Sequence, residues 1–186
     1  MELLISGLLI WSMVHFIPSL APAAKLKLTG LLGETGYKLV FTVLIITSLA
    51  LIIFGWRSST PSQLYALPGI VRHVAVVLIL LAFVLFTAAQ FPTRIKNYIR
   101  HPQLTGVAVW AIAHLLLNGD SRSVFLFGGL GIWAVLEIIL INRRDRQWTK
   151  KAPPAWTGEF KLIAISIVTF IVVVMVHPYI AGVPIR

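Results

Sequence analysis

Five histidines and no cysteine set the chemistry open to this chain. Without thiols, disulfides, thiolate metal sites, cysteine nucleophiles and iron–sulfur clusters are all excluded. Imidazoles can still hydrogen-bond, relay protons or ligate a metal. The stretch from Arg100 to Asp120, RHPQLTGVAVWAIAHLLLNGD, carries two of the five, His101 and His114, with no fixed charge between its ends. Its length is close to the ~20 mostly apolar residues with which a helix crosses a ~30 Å hydrocarbon layer. Gly106, Trp110, His114 and Asn118 recur at every fourth position and so share one helix face. Lipid would leave the imidazole and the amide unsatisfied, so that face is expected to turn toward protein. A tight helix contact around a hydrogen-bonded core histidine and a functional site both fit this stripe.

The elements that must carry these residues follow from composition. Of the 186 residues, 58% are hydrophobic and 12% charged, and mean hydropathy is +0.91. A soluble core of this size requires far more polar surface. The chain therefore reads as all-α, a polytopic transmembrane helical bundle of about six spans. It forms a single integral membrane domain over residues 1–186.

The expected spans are Leu3–Ala24, Tyr37–Trp56, Ile70–Phe91, the Arg100–Asp120 stretch, Val124–Ile141, and a sixth at about 161–181 with its core at Leu162–Val176. Pro18 and Pro22 should kink or unwind the end of the first. Residues 25–36, with Gly30, Gly33 and Gly36, read as a connecting segment, residues 58–69 as a polar turn region and Asn118-Gly119-Asp120 as a tight turn.

Twelve of the sixteen basic residues fall in the first, third and fifth loops, leaving Arg57, Arg72, Arg122 and Arg186 on the other side. Basic loops stay in the cytoplasm, which places both termini outside. The net charge of +10 is thereby assigned to orientation and to anionic lipid head groups, and nucleic acid is excluded as a partner.

Orientation gives the histidines depths. At ~1.5 Å per residue, His15 lies about 15 Å from Lys25 and His114 about 21 Å from Arg100. These two are thus expected inside the membrane at depths that differ by about 6 Å. His101 falls at the inner boundary and His73 and His177 near the outer one, where histidines serve mainly as interfacial hydrogen-bonders. Two intramembrane imidazoles from different helices can hydrogen-bond each other, relay protons, or hold haem iron as axial ligands. Trp110, Phe83 and Phe86 could border a flat macrocycle or simply pack. Glu137, the one carboxylate within a span, is close enough to Arg143–Arg144 to snorkel or pair with them. No nucleophile–base pair, phosphate loop or paired carboxylate occurs, which argues against hydrolysis and phosphoryl transfer.

The segments VHFIPS from Val14, RHPQLTG from Arg100, WAIAHLLLNGD from Trp110 and FGG from Phe127, in that order, resemble the NnrU family. The likeness is strongest over residues 3–144. It implies a multi-pass protein of the bacterial inner membrane associated with nitrite and nitric oxide reduction. That family is similar to the zeta-carotene isomerase of plants and algae, which holds haem b between two histidines. The likeness assigns the ligand positions to His15 and His114; Trp110 and Asn118, which share the helix face of His114, are then expected beside the cofactor. At the isomerase's further candidate ligand this chain has Trp56 and Arg57, and His73 is the reserve. The implied partners, besides the lipid bilayer, are an apolar small molecule or the respiratory nitrogen-oxide enzymes. The implied chemistry is redox or isomerase-like.

A non-catalytic accessory or assembly protein with structural histidines is the competing expectation. RHPQLTG also resembles the motif of membrane methyltransferases that use S-adenosylmethionine, but here a lone Asp145 follows the fifth span where those enzymes carry an acidic pair.

Overall fold

Proline and glycine, more than charge, cut this apolar chain into its helices. In the computed structural model, which describes residues 1–182, six α-helices follow one another: α1 (Glu2–Leu20), α2 (Pro22–Ser58), α3 (Val71–Gln90), α4 (Pro102–Leu117), α5 (Ser121–Arg144) and α6 (Trp156–Ala181). A 3-10 turn, Arg94–Asn97, links α3 to α4. All but α4 are long and apolar enough to cross a membrane. The protein is a multi-pass helical membrane protein. Arg186 lies outside the described residues.

The first expected boundary moves. Ala21 leaves helical geometry and Pro22 opens α2 at its first turn, where a missing N–H costs nothing. The expected connecting segment at 25–36 is instead helical and belongs to α2, broken at Gly33. Its backbone there (φ 71°, ψ 165°) is one that a side chain would strain. Three glycines within seven residues therefore supply one break, not a loop.

The fourth span is also shorter than the apolar sequence suggests. Pro102 keeps His101 out of helical geometry (φ −123°, ψ 68°), so α4 starts after it and has 16 residues, about 24 Å. At its far end each residue of Asn118-Gly119-Asp120 has a separate task. Asn118 closes α4 by donating from its backbone N–H (2.8 Å) and from Nδ2 (3.0 Å) to the His114 carbonyl. Gly119 accepts from the N–H groups of Leu64 and Tyr65 at 2.8 and 3.1 Å. A Cβ on it would lie 1.9 Å from the Tyr65 carbonyl oxygen. Asp120 caps α5, accepting from the Ser123 N–H (3.1 Å) and hydroxyl (2.6 Å).

Packing order differs from chain order. The extensive contacts join α2 to α1, α1 to α5, α5 to α4, α4 to α3 and α3 to α6. α5 is therefore flanked by α1 and α4, while α4 and α6 both lean on α3. Small residues set the closest approaches: Gly55 and Gly7 bring α2 onto α1, and Gly106 brings α4 onto α3, where a Cβ would lie 2.8 Å from the Phe86 ring. Leu4, Leu8 and Ile52 bury themselves between α1 and α2, with Leu126 and Leu130 of α5 against them.

Gly106→Leu is accordingly expected to lower stability in detergent by about 2–3 kcal/mol. Val107→Leu, one step round the helix, should change it by less than about 0.5 kcal/mol. Thermal melts of the two variants check this, and equal effects would contradict the close α3–α4 contact.

The two ends of the bundle are tied differently. At the basic end, Glu159 of α6 accepts from the Thr93 hydroxyl and the Arg94 N–H, both at 2.7 Å. Arg94 also lies over the Trp156 ring, 4.2 Å from its centroid. At the opposite end the 59–70 loop folds over the α4–α5 turn. The topology expected from charge is checked by reporter fusions after Lys151 and after Arg186. They should report opposite sides of the membrane, and the same side for both would remove a span.

Candidate functional site

At the end away from the basic loops, a cavity of about 680 Å³ lies between α3, α4 and α6 under the 59–70 loop. This is within the range of small-molecule and cofactor sites. Three helices present it with residues at one-face spacing. These are Arg72, Val76, Ile79 and Phe83 from α3, Trp110, His114, Leu117 and Asn118 from α4, and Phe170, Val173, Val174 and His177 from α6. The cavity exists because α4 and α6 rest on α3 with little contact to each other. Phe83 and Phe170 meet edge to face at 5.8 Å on its deep side. At its mouth, Arg122 lies 4.2 Å over the Trp56 ring and 3.7 Å from Asp120.

His114 is held from three directions. Its Nδ1 lies 2.9 Å from the Trp110 carbonyl. A carbonyl oxygen only accepts, so Nδ1 carries the proton and the neutral ring keeps its lone pair on Nε2. The ring stacks on Phe127 at 4.5 Å and lies tilted against Trp110 at 4.6 Å. A backbone carbonyl on one imidazole nitrogen is the usual way a protein orients the other toward a metal.

His15 repeats this arrangement on α1. Its Nδ1 donates to the Trp11 carbonyl (2.8 Å), and Trp11 lies 4.3 Å from its ring. The chain thus uses Trp-x-x-x-His twice, with the same hydrogen bond each time, although the sequence shows no wider repeat. Trp133 of α5 and Phe41 of α2 complete the surroundings of His15 at 5.0 and 5.5 Å. The indole N–H groups of Trp11 and Trp133 there are buried without a partner among the described residues.

The expected site residues therefore divide. His114, Trp110 and Asn118 line one cavity, and His15 is not among its lining residues. His114 touches α5 at Phe127 and His15 touches it at Trp133. Those positions are six residues apart, which separates them by about 9 Å along α5 and about 120° around it. The reserve candidate His73 is exposed at the start of α3. Its neighbour Arg72 is the residue that reaches the cavity.

The boundary histidines also separate. His101 behaves as an interfacial hydrogen-bonder, its Nε2 lying 3.0 Å from Asn142 Oδ1. Arg100 donates to the Asp145 and Gln147 carbonyls at 3.0 and 2.8 Å, so the RHP stretch ties α4 to the chain after α5. Asp145 is bound by Arg144 (2.7 and 2.9 Å), and that bonded guanidinium holds its carboxyl below the usual carboxylate range.

His177 departs from the interfacial role expected of it. It lines the cavity, and its Nδ1 is buried with no hydrogen-bond partner among the described residues. Spacing could have signalled this, since Phe170, Val173, Val174 and His177 form an i, i+3, i+4, i+7 stripe. Glu137 departs too. It is buried (7% exposed) and accepts from the Ser19 hydroxyl at 2.8 Å, not from the Arg143–Arg144 run.

Comparison with known families settles the wider kinship, because the NnrU protein family model matches residues 3–185. The chain belongs to the NnrU protein family. The match extends beyond the segments that carry the resemblance in sequence and takes in α6, the helix bearing His177. Neither a curated protein nor a solved structure matches the chain.

Proposed function

We propose that this NnrU protein binds haem b in the cavity between α3, α4 and α6, with His114 as an axial ligand. In this reading it performs redox or isomerase-like chemistry on an apolar substrate, or serves nitrite and nitric oxide reduction, from the bacterial inner membrane. The single observation that carries the proposal is the cavity itself, with its histidine already fixed in the ligating tautomer.

The donor set suits the group. Neutral imidazole is a normal haem-iron ligand, and haem's apolar body and acidic side chains need an apolar slot with cations at one end. Phe83, Phe170 and Trp110 supply flat apolar walls, while Arg72 and Arg122 lie toward the mouth. When bound, the group would supply one-electron transfer and an iron that can polarise or bind a small ligand. The chain's own residues do the rest. The Trp110 carbonyl holds the Nδ1 proton of His114, Phe127 fixes the ring plane, and Gln63, Leu67, Pro68 and Gly69 of the loop line the cavity.

Colour is the test. Protein purified in detergent from haem-replete cells should show a Soret band and, on reduction, sharp α and β bands. A colourless, folded preparation that also fails to take up added haem would leave the accessory-protein reading, with the histidines as structural hydrogen-bonders.

A further inference from the structure

We propose that α6 is a lateral gate, which pivots about its tie at the basic end and admits the cavity's ligand sideways from the bilayer, between α4 and α6. The inference rests on the cavity being a binding site and adds the route by which a lipid-dissolved molecule reaches it.

α6 is fastened at one end. There Glu159 accepts from the Thr93 hydroxyl and the Arg94 N–H, and Arg94 donates to the Pro154 carbonyl at 3.1 Å. Leu162 and Ser166, in the first three turns, are 2% and 0% exposed. From Ile167 to Gly182 no residue is buried. The edge-to-face contact of Phe170 with Phe83 is the last tie. Beyond it, no hydrogen bond, ion pair or ring contact joins α6 to another element among the described residues. That free half is the part that lines the cavity, through Phe170, Val173 and Val174.

α6 packs extensively on α3 alone, so the space between it and α4 is a slit floored by α3. Val174 of α6 and Leu117 of α4 line the cavity yet remain 39% and 40% exposed, which makes them the lips of the slit. Val174 stands about 22 Å along the helix from Glu159. A swing of about 10° at Glu159, small beside the roughly 0–40° over which membrane helices tilt, moves it by about 4 Å. That is about the thickness of one flat ring system, since carbon atoms touch at about 3.5–4.0 Å.

Two routes into the cavity compete, and they differ in what they break. The 59–70 loop is held by the Leu64 and Tyr65 N–H groups on the Gly119 carbonyl, by Ser62 and Ser121 bonding each other at 2.8 and 3.1 Å, and by the Tyr65 hydroxyl on the Leu115 carbonyl. Lifting it breaks those bonds and wets Phe83 and Phe170, which the hydrophobic effect opposes. Swinging the free half of α6 breaks no such bond. It shows the same rings and valines to lipid tails, which are as apolar as the cavity wall. For a molecule dissolved in the membrane, the lateral route therefore has the lower barrier.

The chain has no cysteine, so introduced thiols are the only labelling sites. Two pairs of exposed positions report the gap from α4 to α6: Gln103→Cys with Phe160→Cys at the pinned end, and Ile112→Cys with Met175→Cys toward the free end. In lipid nanodiscs without ligand, spin-label distances should form one narrow population for the first pair. The second should show an added population about 4 Å longer, which haemin in the cavity removes. Glu159→Ala, which releases the tie to Thr93 and Arg94, should spread the first pair as well. Tying the free-end pair with a bifunctional maleimide should slow haemin uptake from haemin-loaded lipid about tenfold, a barrier rise of about 1.4 kcal/mol. Tying the pinned-end pair should leave that rate unchanged.

A single narrow population at the free-end pair, or uptake at the wild-type rate with that pair tied, would overturn the gate. Failure of the unmodified protein to take up haemin, with the free-end pair still spread, would overturn the haem reading and leave the gate standing.

Discussion

His114→Ala is expected to remove bound haem altogether, with no Soret band after purification and at least a hundredfold weaker uptake in titration. Changing even the outer partners of a metal-ligating histidine costs about 10–100-fold, and this substitution removes the ligand itself. The loss should be specific. Leu117→Ala alters the same cavity wall one turn away and should retain haem, because it changes area and no bond to iron. His101→Ala should retain it as well, since His101 is bonded to Asn142 at the other end of α4. Loss of haem from the His101 variant with retention in the His114 variant would move the site to the basic end. Comparable thermal melts for all three proteins separate loss of a ligand from loss of the fold.

Gly55→Leu is expected to be the most damaging of the glycine substitutions within the helices. A Cβ at this position would lie 2.2 Å from the Leu4 backbone N and 2.7 Å from its Cα. Backbone cannot swing aside as a side chain can, so α1 and α2 must separate. Separation exposes Leu4, which is fully buried, and pulls Leu8 and Ile52 apart. In lipid the apolar surfaces gain little from meeting each other, so close packing is what joins the helices, and loss of approach loses the contact. The cost should exceed the usual 1–3 kcal/mol of overpacking. Reduced yield and a melting temperature far below that of Gly106→Leu would register it. Gly30→Leu is the control, because nothing lies within 4 Å of a Cβ there. A Gly55 variant as stable as the Gly30 variant would contradict the α1–α2 contact.

Some of the architecture was legible before any coordinates. Apolar run length and the scarcity of charge identify a helical membrane protein, and the fourfold spacing of Gly106, Trp110, His114 and Asn118 correctly gives one protein-facing stripe. Proline positions mark real boundaries at Pro22 and Pro102. The glycines of 25–36 mislead, because a glycine permits a break without requiring one, and only Gly33 takes it.

Depth along a helix and direction around it are different quantities. Sequence alone determines depth: each residue advances about 1.5 Å, so a histidine's distance from a charged end can be counted. It also determines which residues share a face on their own helix. Which helix that face meets was decided only by tertiary structure. The packing order α2, α1, α5, α4, α3, α6 follows from close approaches at Gly7, Gly55 and Gly106 and from ties such as Ser19 to Glu137, 118 residues apart. That order places α5 between His15 and His114 and brings His177, from the far end of the chain, to the cavity that His114 lines. Helical periodicity is local, set by hydrogen bonds four residues apart. Neighbourhood in the bundle depends on how complete side-chain surfaces fit, and no spacing within a single helix encodes it.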